Sequence, residues 1–160
     1  MILKDKVVII TGAGPGMGQA MCHGAAAEGA KVVVTARSQE RIDAIVSEIT
    51  ANGGEAIAVP CERTAKAALD KWGRIDGLVN SAYYHPDWEP LEKHSIEQLN
   101  TAFDVIASGA LRMTQSVLPA MRAQGKGSIV NVSTLASRKP YPNEGGYAMA
   151  KAALNQMTRH

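Results

Sequence analysis

A run of β-branched side chains, Val7-Val8-Ile9-Ile10, leads directly into Thr11-Gly12-Ala13-Gly14-Pro15-Gly16-Met17-Gly18. No other feature restricts the fold as much. The run has the length and side chains of a buried strand, and the residues after Gly18 have the composition of a helix. A turn so rich in glycine bends tightly and lets the backbone approach a ligand without a Cβ in the way. The helix behind it offers unpaired N–H groups and a positive dipole end. Strand, glycine turn and helix in that order form a phosphate-binding unit of a parallel α/β sheet.

The rest of the chain repeats the theme. Short apolar runs predict strands over 6–11, 31–36, 56–60, 77–81 and 127–133, separated by stretches of helical period. Ile42, Ile45, Val46 and Ile49 recur at one helical face, and Asn52-Gly53-Gly54 ends that helix. Ser95-Ile96-Glu97-Gln98 has the form of a capping box, and Leu99, Phe103, Ile106, Met113 and Val117 carry the longest predicted helix to about Met121. Residues 64–72 have room for only a stub helix. Right-handed crossovers then predict a Rossmann-like doubly wound parallel sheet, with helices on both faces and one dinucleotide-binding domain over residues 1–160.

Composition narrows the function classes. The 160 residues are 46% hydrophobic and 20% charged, with a net charge of +2, which is globular rather than disordered. The cations are scattered, so nucleic acid is not an expected partner. The longest apolar stretches are strand-sized and the N-terminus lacks a signal-peptide run, so neither a membrane partner nor export is expected. The predicted location is cytoplasmic. Cys22 and Cys61 lack metal or redox spacing and are expected to be reduced core thiols. His85 and His94 lie close together but lack a helical ligand spacing, so no metal site is predicted.

The second informative feature is Tyr147-Ala148-Met149-Ala150-Lys151, because one helical turn holds an ammonium beside a phenol. A free tyrosine titrates near pH ~10, and a neighbouring cation favours its phenolate, so Tyr147 is a candidate acid/base. With a phosphate-binding turn in the same chain, a redox enzyme is the leading reading. Ser133 and Thr134, at the end of the last predicted strand, add hydroxyls. Their other role is to tie off backbone groups.

The spacing T-G-x-x-x-G-x-G at residues 11–18, taken with Y-x-x-x-K at 147–151, resembles the short-chain dehydrogenase/reductase family. The resemblance continues in the family's order through Gly73-Arg74-Ile75-Asp76-Gly77-Leu78-Val79-Asn80, Phe103-Asp104-Val105 and Gly127 to Ser133. It implies hydride transfer between a nicotinamide cofactor and a small-molecule secondary alcohol or ketone. Tyr147 would be acid/base, Lys151 its electrostatic partner and a ribose ligand, and Thr134 the hydroxyl on the substrate oxygen, with Ser133 beside it. Gly12, Gly14, Gly16, Met17 and Gly18 would bind the cofactor, as would Glu62 near adenine and the loop of Asn80, Ser81 and Ala82.

Ala36 stands where NAD-preferring relatives place Asp, and Arg37 follows it. NADP is therefore the expected cofactor, with NAD possible. The resemblance also implies a homo-oligomer, dimer or tetramer, paired through the long helix and the Tyr147 helix.

Three departures complicate this reading. Ile106 replaces the family Asn that supports a water-linked relay to the lysine, and Asn80-Ser81-Ala82-Tyr83 differs from the usual Asn-Asn-Ala-Gly at two positions. The stretch from Cys61 to Arg74 is about two helical turns short. Relatives also continue beyond the Tyr147 helix into further strands and a segment that closes over the substrate, so a fragment or an incomplete sequence is expected. A non-catalytic nucleotide-binding or assembly module on the same fold is the alternative. Tyr83, Tyr84, His85 and Trp88 lie in the family's variable loop as candidate substrate contacts.

Overall fold

The computed structural model describes residues 1–160, except for the side chain of Glu62. The chain groups into two compact units, residues 1–81 with 114–130, and residues 82–113 with 131–160.

The first unit carries the sheet. Its strands are β1 (Val7–Thr11), β2 (Lys31–Thr35), β3 (Glu55–Ala58), β4 (Gly77–Asn80) and β5 (Ser128–Asn131), the last of which ends at the unit boundary. The spatial order is β3-β2-β1-β4-β5. β1 pairs in parallel with β2 and β4, and β2 with β3, in registers such as Ile9↔Val33 and Ile9↔Leu78. That order is the doubly wound arrangement, with the glycine turn leaving the central strand β1.

Strand and helix identities follow from side-chain chemistry. Residues 7–10 and 32–34 are β-branched and buried, so each strand is covered on both faces. Val8, Ile10, Val32 and Val34 share one core with Cys22 of α1 (Met17–Ala27) and Ile42, Ile45 and Ile49 of α2 (Gln39–Ala51). The alternate residues Val7, Ile9 and Val33 have no exposure, and the stub helix α3 (Thr64–Trp72) packs on β1 and β2. Gly73, in the left-handed conformation at φ 70°, ends α3. Every predicted strand is present, most of them shortened, while the third begins one residue earlier, at Glu55. The third stops at Ala58 rather than reaching Pro60, and the fifth stops at Asn131.

Cys61 corrects one expectation. Its side chain is exposed, with the sulfur accepting from Thr35 Oγ1 at 3.2 Å, whereas Cys22 is buried and its thiol is pushed up to about 12 by desolvation. Strand β3 ends before Cys61 and turns it out of the core. Both thiols are free.

The second unit is helical. α4 (Ile96–Phe103), a π-helical turn (Asp104–Ser108) and the start of α5 (Gly109–Ala123) pack Ala102, Ile106 and Ala110 against Ala150 and Leu154 of α6 (Gly145–Thr158). The predicted long helix is thus interrupted at Asp104, where Gly109 N–H bonds the carbonyl five residues back. Ser95 caps α4 as expected, its Oγ accepting from Gln98 N–H at 3.1 Å. The capping box is only half formed, however. The Gln98 side chain reaches Asp87 instead of returning to Ser95. No helix is long and apolar enough to cross a membrane.

Candidate active site

The glycine turn belongs to the first unit, and its glycines have different reasons to be there. Gly12 and Gly16 adopt φ of 68° and 89°, which other residues rarely tolerate. Gly18 is required by packing, because a Cβ there would press on the Gly12 carbonyl and come within 3.0 Å of the Ala13 Cα. Gly14 has neither constraint. Its φ is ordinary and a Cβ would stand in open space, so the fold itself tolerates a side chain at this position. What glycine adds there is room for something to approach the backbone. Met17, the first residue of α1, is 59% exposed, and no side chain among the described residues caps the helix N-terminus.

Neighbouring strands support the turn. Ala13 N–H bonds the Thr35 carbonyl at 3.2 Å, and Ser81 N–H bonds Thr11 Oγ1 at 3.1 Å, which ties the ends of β2 and β4 to β1. Asn80 and Ser81 are buried beside Thr11, in the register Thr11↔Asn80. Arg37 follows β2 with its side chain exposed. The Glu62 side chain, expected near adenine, lies outside the described residues.

The second unit holds Ser133, Thr134, Tyr147 and Lys151. Tyr147 is half-buried in the first turn of α6, and Lys151 is 2% exposed one turn later. The Lys151 ammonium donates to the Val132 carbonyl at 2.5 Å and lies over the Tyr147 ring, 5.8 Å from its centroid. Burial lowers the Lys151 pKa to about 8. The Tyr147 phenol is pushed above its ordinary value, first by burial and then by the charges of Glu144 and Tyr83. This differs from the expected depression. In the chain alone the ammonium faces a carbonyl and the ring rather than the hydroxyl, so desolvation prevails.

Thr134 and Ser133 are partly engaged with the backbone turn Leu135–Ser137. Thr134 Oγ1 accepts from Ala136 N–H at 3.3 Å, and Ser133 Oγ lies 3.4 Å from Ser137 Oγ. Ser137 in turn donates to the Thr134 carbonyl and accepts from Asn155 of α6, which fixes this turn to the tyrosine helix. The backbone-tying role foreseen for these hydroxyls is real; Thr134 retains its proton to donate elsewhere, whereas Ser133 donates to Ser137 Oγ, whose own proton is on the Thr134 carbonyl.

Ala82 opens the loop that continues through the aromatic residues. Tyr83 meets Tyr147 edge-on at 6.4 Å, and His85 stacks on Tyr147 at 4.7 Å. Two participants were not foreseen in the sequence. Glu144 acts on Tyr147 through its charge, and His94 packs against Gly146. Only the doublet Gly145-Gly146 hinted at a close approach there.

A doubly wound parallel sheet with a glycine turn after β1, together with a tyrosine and lysine one turn apart on a helix, defines a nucleotide-dependent oxidoreductase fold. Comparison with known proteins makes this specific. The short chain dehydrogenase family model matches residues 6–160, and the chain belongs to that family. It is 37% identical over 98% of its length to a 3-oxoacyl-[acyl-carrier-protein] reductase of Synechocystis sp., covering 67% of that protein. It is 31% identical over 99% of its length to dehydrogenase/reductase SDR family member 4 of Oryctolagus cuniculus, covering 64% of it. The chain therefore spans about two thirds of the length of these relatives. Among solved structures, a metagenomic short-chain oxidoreductase in complex with NADP superposes with a TM-score of 0.92 at 30% identity, over 99% of this chain and 76% of that one.

Proposed function

We propose that this chain carries the chemistry of an NADP(H)-dependent oxidoreductase that interconverts a ketone and a secondary alcohol. The observation that carries the proposal is the pair on α6, a half-buried Tyr147 with a buried ammonium, Lys151, across its ring. Tyr147 also packs against the core around Ile106 and Leu154, but burying a lysine without an anionic partner costs stability that a structural role does not return.

The residues fit the cofactor. Gly14 and Gly16 leave open space at the turn, and α1 presents an uncapped N-terminus for a pyrophosphate. Arg37, with no acidic residue before it, suits a 2′-phosphate. That fit, with the NADP bound by the structural neighbour, supports NADP(H) over NAD(H). The nicotinamide supplies or accepts the hydride.

The protein's part is the proton. Tyr147 Oη gives its proton to the substrate oxygen as a ketone becomes an alcohol, and takes it back in the reverse direction. Thr134 donates a hydrogen bond to the same oxygen, and Lys151 holds positive charge beside the ring so that the phenolate is tolerated. Burial holds the phenol above its ordinary value, so Tyr147 carries the proton it gives to the substrate oxygen. Ile106 is buried in the core against Ala150 and Leu154, so its side chain cannot replace the relay function of the family Asn. The named relatives are reductases and oxidoreductases, which weighs against a non-catalytic module.

The test is NADPH consumption over a panel of small ketones. Tyr147→Phe should lower turnover by about 10²-fold or more while cofactor affinity changes by less than about twofold. Turnover retained in that variant would show that Tyr147 is not the acid/base.

A further inference from the structure

The loop after Ala82, within the second unit, is pinned over the tyrosine helix by specific ties. Asp87 N–H donates to Gln98 Oε1 at 3.1 Å, and Gln98 Nε2 returns a bond to Asp87 Oδ2 at 2.7 Å. His94 Nε2 sits 2.8 Å from the Glu89 carbonyl. Its Nδ1 side lies so close to Gly146 that a Cβ there would come within 2.7 Å. Glycine at 146 thus lets the imidazole rest on the first turn of α6.

These ties hold His85 in a stack. Its ring lies 4.4 Å from Trp88 at 11° on one contact and 4.7 Å from Tyr147 at 27° on another. A phenylalanine would serve equally well for stacking, so the imidazole nitrogens need their own account. Nδ1 lies 2.5 Å from the Pro86 carbonyl, and a carbonyl only accepts, so Nδ1 carries the proton. In that tautomer Nε2 keeps a lone pair. It is buried and has no hydrogen-bond partner among the described residues, a state that native proteins rarely leave uncompensated.

We propose that His85 Nε2 accepts a hydrogen bond from a substrate hydroxyl one or two bonds from the reacting carbon, so that the preferred substrates are hydroxyketones and their diols rather than plain ketones. The inference rests on Tyr147 as the acid/base. The two rings are stacked, so a molecule whose carbonyl meets the phenol needs its second oxygen close by to reach the imidazole. The orphan nitrogen then gains its partner only when such a substrate is bound. A substrate without the hydroxyl leaves Nε2 buried and unpaired, which is the condition under which polar sites discriminate strongly.

The experiment uses the protein with NADP⁺ present, so that no ketone is reduced, with NADPH absorbance followed to check that the probe hydroxyls are not oxidised; the probes are cyclohexanone, 2-hydroxycyclohexanone and 3-hydroxycyclohexanone. Side-chain ¹⁵N spectra should show the His85 Nε2 resonance moving with at least one hydroxylated probe and not with cyclohexanone. Affinity for that probe should exceed affinity for cyclohexanone by about tenfold or more, and His85→Phe, which keeps the stack, should bring the ratio near one. Equal affinities, a ratio that survives in the phenylalanine variant, or an unmoved Nε2 resonance in the unaltered protein would each overturn the proposal. The spectral arm needs no variant to fold. If the resonance moves as expected but NADPH is not consumed with any ketone, the oxidoreductase reading fails and the binding assignment stands. Turnover of cyclohexanone equal to that of its hydroxylated analogues removes the His85 assignment alone.

Discussion

Lys151 shows how one residue's chemistry reads out in measurable terms. Its pKa falls from 10.5 to about 8 through burial, so between those values the unfolded chain binds more protons than the folded one. The Lys151 contribution to stability therefore rises as pH increases through that window, while the Cys22 thiol, pushed up to about 12 by burial, contributes a fall with pH over the same range. Urea melts from pH 8 to 9.5 should therefore show a more positive slope in the unaltered protein than in Lys151→Met, where only the falling Cys22 contribution is left. Tyr147, raised in the fold, contributes stability that disappears only at higher pH, so it does not mask the effect in this range. Arg37 sets the second prediction at this scale. Arg37→Asp removes a cation suited to the 2′-phosphate and installs repulsion, so the ratio of NADPH to NADH affinity should fall by about tenfold or more and invert. Titration of both cofactors measures it. Equal affinities in the unaltered protein would contradict the assignment.

Among the elements, α4 is the most informative. It is short, and its N-terminus relies on Ser95, whose Oγ meets Gln98 N–H. Ser95→Ala should cost about 1 kcal/mol in a denaturant titration and leave α1, α2 and the sheet core unchanged. The predicted helix over residues 95–121 is right in position and stays helical throughout, but its hydrogen-bond step changes partway along. The π-helical turn at Asp104–Ser108 inserts a five-residue hydrogen-bond step that no side-chain period reveals. It occurs where Ile106 packs against Ala150 and Leu154, a contact between segments distant in sequence. The strands were easier to read. Val7 to Ile10 and Val32 to Val34 are β-branched and buried on both faces, so composition alone marks them, whereas their ends depend on which backbone groups find a neighbour.

For the molecule as a whole, self-association is the untested expectation. Ile96 on α4, Leu111 on α5 and Met149 on α6 are 64%, 44% and 39% exposed, an apolar cost in a monomer. A homo-oligomer should form, with an apparent mass by light scattering that rises with concentration. Leu111→Glu should shift it toward monomer. A mass independent of concentration and equal to one chain would show that these side chains serve another purpose.

The glycine turn, the parallel sheet and the Tyr147 and Lys151 pair could all be read in the linear chain. Each depends on neighbours in sequence: a strand before glycines, an unbroken β-branched run along a strand, two groups one helical turn apart. The direction of the Tyr147 shift was not readable. It depends first on burial, then on the charge of Glu144, and last on Tyr83, contributed by a loop sixty-odd residues earlier in the chain. The same is true of the Cys61 exposure, the diversion of Gln98 from Ser95 to Asp87, and the stack of His85 on Tyr147. Local backbone chemistry is encoded residue by residue, whereas desolvation and stacking exist only once distant segments exclude water together.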